Sequence, residues 1–280
     1  MNENLEESCP IQSINDVMNG ILDKMYIANV MPRLRALQSP TAIDQTRWIW
    51  ELLQNAQDSV DPGGTVNAKV IFTDDGHLTF EHTGGVFTGK AMCGLLYKYS
   101  AGKENNEEKT GRFGTGFMTT LALSKIIEVE TNIFEQSESN TVTGFYVILY
   151  RNGREEDELK EGLKNMRKSM KKVKAFEDFT TRFNYKKANI ESVNFGYDSF
   201  IECGAQTLIF AKKISEFTFN YKGKTSSIKR KAIKEYTNNR FIQSFDIVND
   251  SHACERSFIV ISIEEPNELL SQKFKRPRRE

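Results

Sequence analysis

The chain has 280 residues, enough for one large domain or for a medium domain with an appendage, and its 38 basic residues balance 38 acidic ones. Without net charge there is no global field to gather nucleic acid or an anionic membrane, so neither is an expected partner. Cys9, Cys93, Cys203 and Cys254 are scattered without a CxxC pair, and neither an apolar signal core nor a membrane-length apolar run is present; zinc, a disulfide framework, secretion and membrane spanning are therefore not expected, and a soluble cytoplasmic protein is.

After a polar leader, Ile14, Val17, Ile21, Met25 and Ala28 recur at helical steps, which predicts an amphipathic helix ending before Pro32. Ser39, Pro40 and Thr41 punctuate the chain, with Thr41 or a neighbour as a cap, and a second helix runs to Val60 before Asp61-Pro62-Gly63-Gly64 stops it. Ile49, Leu52, Leu53, Ala56 and Val60 form its core-facing stripe. AKVIF from Ala68 and LTFEH from Leu78 flank an Asp-Gly turn and predict a hairpin. A short helix over residues 89–99 precedes the polar stretch AGKENNEEKTG, and GRFGTGF from Gly111 reads as a glycine-rich turn opening another short helix.

KIIEVET and VTGFYVILY are strands by their β-branched and aromatic content. Apolar residues at helical spacing predict a helix over residues 155–176, then TTRFNY is a strand and residues 188–203 a helix. TLIFAKK, FTFNYKG and SFIVISI are three further predicted strands. Helices and paired strands without a βαβ rhythm predict an α+β fold: a two-layer α/β sandwich with a mixed, mostly antiparallel sheet and helices on one face.

On the second helix Glu51, Asn55 and Asp58 lie at i, i+4 and i+7, so a carboxylate, an amide and a carboxylate line up along one face away from the core stripe. A solvated acidic face is the plain alternative. Glycines 111, 114 and 116 at the start of a helix let backbone N–H groups approach an anion, phosphate being the natural guest, although glycines also mark ordinary turns.

Taken in order, ELLQNAQD, HTGG, a polar loop and GRFGTGF resemble the N-box, first glycine box, lid and second glycine box of the GHKL ATPases, which share the Bergerat fold. FGTGF is similar to the form seen in heat-shock chaperones of the ninety-kilodalton class, and the resemblance spans residues 47–185. It implies ATP and Mg²⁺ as cofactors, Glu51 as the general base that deprotonates water, and Asn55 as the metal ligand. Asp58 would support the nucleotide pocket. Gly84 belongs to the first box, while Gly111, Arg112, Phe113, Gly114, Thr115, Gly116 and Phe117 would surround the phosphates with help from Lys103 in the lid.

One departure stands out. The family's first box begins with an aspartate that accepts a hydrogen bond from the adenine amino group, and His82 occupies that place here; a neutral imidazole offers no fixed negative charge. Val86 or Phe87 replaces the box's last glycine. Thr181 is the candidate for the family's late-strand threonine, with Thr207 as its rival, and Lys222, Lys224 and Lys229 match a transducer lysine by position only. The resulting expectation is an N-terminal helical extension over 1–40, an ATP-binding domain over 41–211, and edge strands or the start of a transducer-like domain with a basic tail over 212–280. ATP hydrolysis would drive lid closure and switching, with a homodimer and a protein effector or client as partners. A non-catalytic nucleotide sensor or scaffold with a degenerate pocket is the alternative.

Overall fold

The computed structural model describes residues 10–37, 39–97, 116–135, 141–237, 240–250 and 252–261. Helices α1 (Pro10–Ala36) and α2 (Ala42–Asp58) precede the hairpin β1 (Val66–Phe72) and β2 (Leu78–His82), then α3 (Gly89–Tyr97) and a 3-10 helix (Gly116–Ala122). The middle of the chain holds β3 (Ile126–Phe134), β4 (Val142–Tyr150), α4 (Glu156–Ser169), β5 (Lys171–Val173), β6 (Thr181–Tyr185) and α5 (Ile190–Phe210). Strands β7 (Ile214–Tyr221), β8 (Lys224–Arg230), β9 (Lys234–Thr237), β10 (Arg240–Asn249) and β11 (His252–Ile261) follow.

All the strands join one open sheet in the order β11-β10-β8-β7-β1-β2-β6-β3-β4-β5, with β9 on β10. β1 and β7 are parallel, and every other strand pair is antiparallel. This is the expected α+β architecture. Directly opposed residues share a face, so Phe217, Ala68, His82, Thr181 and Thr131 form one row across the sheet and all are buried. The neighbouring row, Lys69, Glu81, Arg182 and Glu130, points the other way and pairs its charges, Arg182 reaching Glu81 at 2.8 Å and Glu130 at 3.5 Å. Alternation along each strand thus separates a buried helix-covered face from a charged one.

Helix α2 is the central element of the covering layer. Thr41 caps it with a reciprocal capping box to Asp44, and Arg33 holds the same carboxylate at 2.7 Å. Its predicted stripe is buried at Ile49, Leu52, Leu53 and Ala56, and Trp48 joins it with no exposed surface. The Trp48 indole N–H donates to the Ser192 carbonyl at 2.8 Å, and its ring lies so close to Gly196 of α5 that a Cβ there would sit 2.3 Å from it. Trp50 reaches Ser199 on the same helix at 3.0 Å.

Three predicted boundaries are corrected. Helix α1 continues through Pro32 to Ala36, because Val30, Met31, Leu34 and Leu37 are buried around the proline and their packing offsets the missing donor. Of the predicted stripe, Ile21 and Met25 are exposed, whereas Tyr26, Ile27 and Val30 are buried; the side chains of Ile14 and Val17 lie outside the described residues. The helix expected to reach residue 176 stops at Ser169, where Met170 turns extended and Lys171–Val173 pairs with the edge of β4. Finally, TLIF belongs to α5: Leu208 completes the buried helical face, so its apolar content serves a helix although it reads locally as a strand. Strands β8, β9 and β10 have no counterpart among the predicted ones, and β8 shows why, since its buried positions are Ser226 and Ile228 in an otherwise polar KTSSIKR.

Among the described residues no helix is long and apolar enough to cross a membrane. The tightest fit in the core sets a test: Gly196→Ala should push against the fully buried Trp48 ring and lower stability by about 1–3 kcal/mol, read as a shifted urea midpoint with an unchanged slope.

Candidate functional site

Locking one side of α2 into the core turns the opposite row outward, and Glu51, Asn55 and Asp58 are each half-buried along it. The seven-residue offset from Glu51 to Asp58 makes the row about 10 Å long. The two ends of the row meet different surroundings.

At one end the Glu51 carboxylate is held from two directions. Arg47, one turn earlier, donates to Oε1 at 2.8 Å. Gly116, the first residue of the 3-10 helix, lies against the other oxygen, so closely that a Cβ would stand 1.9 Å from Oε2. Only glycine brings the backbone this near a carboxylate. The Thr119 and Thr120 hydroxyls donate to the Gly116 and Phe117 carbonyls, each at 2.8 Å, and hold the turn. Phe117 turns its ring inward, 5.1 Å from that of Phe183.

At the other end the first glycine loop folds onto the last turn of α2. The Gly85 N–H donates to Ser59 Oγ at 3.0 Å, and a Cβ on Gly84 would clash with the same oxygen at 2.1 Å. The Gly84 N–H donates to His82 Nδ1 at 3.0 Å. His82 is only 4% exposed, and burial pushes its pKa down to about 4, so the ring is neutral. With Nδ1 accepting, the hydrogen of the neutral ring is on Nε2. Glu81 points to the opposite, charged face, where Arg182 binds it. The loop closes without a third glycine because Phe87 pairs with β3, its N–H donating to the Asn132 carbonyl at 3.0 Å and its carbonyl accepting from the Phe134 N–H at 3.0 Å.

Thr181 is fully buried and directly opposite His82, with its hydroxyl 2.7 Å from that of Thr131. Thr207 is placed elsewhere: it lies on α5, where its hydroxyl donates to the Cys203 carbonyl at 3.0 Å. Lys222 and Lys224 flank the β7–β8 turn and Lys229 faces Glu216 at 3.7 Å; among the described residues no hydrogen bond or ion pair joins the three to α2. Lys103, Gly111, Arg112, Phe113, Gly114 and Thr115 lie outside the described residues.

Three contributors are absent from the motif pattern. Arg47 was legible as the residue four before Glu51, whereas Ser59 follows the row without a motif of its own. Arg151, 1% exposed, is the third: its guanidinium donates to the Leu95 carbonyl at 2.8 Å and lies 5.7 Å from the Phe117 ring centroid. It therefore ties the end of α3 to the 3-10 helix that carries Gly116. Among the described residues no group of three His, Cys, Asp or Glu side chains is arranged to hold a metal ion. A cavity of about 480 Å³ between Leu37, Leu121, Lys125 and Lys186 contains none of the row's residues.

The neutral His82 has a consequence for stability. Its folded pKa of about 4 lies below the ordinary 6.5, so unfolding takes up a proton at any pH between the two. This contribution is whole above about pH 6.5, shrinks as pH falls, and is gone near pH 4, a total of about 3 kcal/mol. His82→Phe should flatten the loss of stability over that window by this amount, measured from urea unfolding of both proteins at pH 7, 5.5 and 4.

No protein-family model matches the chain and no curated protein matches it, so the chemistry of these residues is read from their geometry and their motif pattern.

Proposed function

We propose that the chain is a Mg²⁺-dependent nucleoside triphosphatase, with ATP as the nucleotide that the GHKL resemblance implies, whose turnover drives a conformational switch. The observation that carries this reading is the seating of Gly116 on Glu51. It joins two motifs far apart in sequence and puts a glycine backbone beside a carboxylate, the pairing that hydrolysis of a bound phosphate needs. Glu51 takes the proton of the attacking water. Arg47 fixes that carboxylate through Oε1, which leaves Oε2 on the Gly116 side.

Asn55, one turn along the same face, would supply a side-chain oxygen for Mg²⁺. Mg²⁺ commonly binds through few protein ligands together with waters and substrate phosphates, so the fit does not require a cluster of carboxylates. The bound metal would neutralise phosphate charge. Asp58, Gly84, His82 and Thr181 gather at the far end, where the rest of the nucleotide would lie. A homodimer formed on nucleotide binding and a protein effector or client are the partners that such a switch would serve. The second reading, a sensor that binds without turnover, draws on the Arg47 contact, which occupies one oxygen of the base.

Measured turnover of Mg·ATP and Mg·GTP decides between them. Glu51→Ala should lower the rate by on the order of 10²–10⁴-fold while leaving nucleotide binding in place; unchanged turnover would assign the chemistry to another base or to a contaminant. Gly116→Ala, whose methyl would occupy the place of Oε2, should lower the rate as well. Binding without turnover in the unmodified chain would establish the sensor. Arg47→Ala should change stability by no more than about 0.5 kcal/mol, because the pair is solvent-exposed on the arginine side, yet it should reduce kcat more than it alters KM.

A further inference from the structure

Arg151 is a buried cation whose side-chain partners are all uncharged. One Nη donates to the Leu95 carbonyl at 2.8 Å, the other lies 3.5 Å from the Met118 sulfur, and the guanidinium carbon stands 5.7 Å from the Phe117 ring centroid. No carboxylate is among these contacts, and the Nε–H is buried with no hydrogen-bond partner among the described residues. Both features cost stability, and an apolar side chain of similar volume would avoid them. What an apolar side chain cannot do is aim two donors and a flat cationic face at three fixed points.

The point of attachment is itself anchored. Two residues beyond Leu95, Tyr97 ends α3, and its hydroxyl accepts from the Arg167 Nε at 3.2 Å while the same guanidinium is paired with Asp23 of α1. The last turn of α3 is thereby held by α1 and α4, and Arg151 carries that anchorage to Phe117 and Met118, the second and third residues of the 3-10 helix. Phe183 holds the Phe117 ring from another side. The residue before Phe117 is Gly116, whose backbone stands so close to Glu51 Oε2 that a Cβ would lie 1.9 Å from it. Any shift of Phe117 therefore moves Gly116 against the carboxylate. We infer that Arg151 is a positioning residue for the proposed hydrolysis: fastened to Leu95, its guanidinium fixes Phe117 and Met118 and, through them, the seat of Gly116 on Glu51. The inference rests on the triphosphatase reading above.

The test is steady-state turnover of Mg·ATP by the full chain, with kcat and KM separated, for Arg151→Met, Arg151→Lys, Gly116→Ala and the double variant Arg151→Met/Gly116→Ala. Arg151→Met should lower kcat about ten- to a hundredfold, the order expected of a small misplacement at the reacting atoms, and change KM far less. Arg151→Lys keeps the charge without the planar fork and should not restore kcat. In the double variant the two losses should not multiply, because the contact that Arg151 serves is already broken by Gly116→Ala. If Arg151→Met fails a urea-unfolding check, Arg151→Lys takes its place in the double variant. An unchanged kcat in Arg151→Met, full restoration by Arg151→Lys, or losses that multiply would each overturn the inference and leave the triphosphatase reading standing. Absence of turnover in the unmodified chain would remove that reading and the inference with it.

Discussion

The rotational setting of α2 is the constraint on which the site depends. A helix turns by about 100° per residue, so a slip of one position would swing Glu51, Asn55 and Asp58 away from both glycine segments. Trp48 prevents that slip. Its ring fills the notch over Gly196 and its indole N–H is committed to the Ser192 carbonyl, while Thr41 and Asp44 fix the first turn. The far end is pinned independently, as Lys213 reaches the Val60 carbonyl at 2.8 Å and its backbone N–H donates to Gln57 at 3.3 Å. Core packing on one side therefore supplies the precision needed on the other.

The two ends of the row are built by different means. Beside Glu51 the determining feature is the absence of a side chain, since Gly116 could carry none without displacing the carboxylate. Beside His82 it is a set of backbone donors, Gly84 to the imidazole and Gly85 to Ser59, that orient a neutral ring in a dry setting. The Glu51 carboxylate remains in contact with a cation and with solvent, while burial keeps the His82 ring neutral above about pH 4. On the proposed reading, phosphates would meet the first environment and an uncharged group the second.

Much of this was legible in the sequence because it depends on local spacing. The buried stripe of α2, its polar row, the β1–β2 hairpin and the strands β3 and β4 follow from periodicity and turn chemistry alone. The failures share a cause, which is tertiary context overriding a local signal. Pro32 is carried inside α1 by burial on both sides, and TLIF is drawn into α5 because Leu208 lands on the core face. Thr181 is the candidate and Thr207 its rival in the sequence; strand register places Thr181 opposite His82, whereas Thr207 lies on α5. The tautomer of His82 could not be read at all, since it is set by the Gly84 N–H, a backbone group common to every non-proline residue.

Arg47 illustrates how little energy such an arrangement requires. Its side chain is 54% exposed and its pair with Glu51 is an ordinary i,i+4 contact, worth about 0.3–0.5 kcal/mol to the helix. That is negligible beside what the Trp48 packing contributes to the fold. Position gives the pair its effect: one carboxylate oxygen is engaged by a half-exposed cation and the other faces a glycine backbone. A phosphate brought to this end of α2 would carry more charge than Glu51 and compete for the same guanidinium. In the proposed reaction a contact this weak could exchange, whereas a buried, fully desolvated pair would hold the carboxylate more firmly. Packing and the proposed chemistry would thus lie on opposite faces of a single helix.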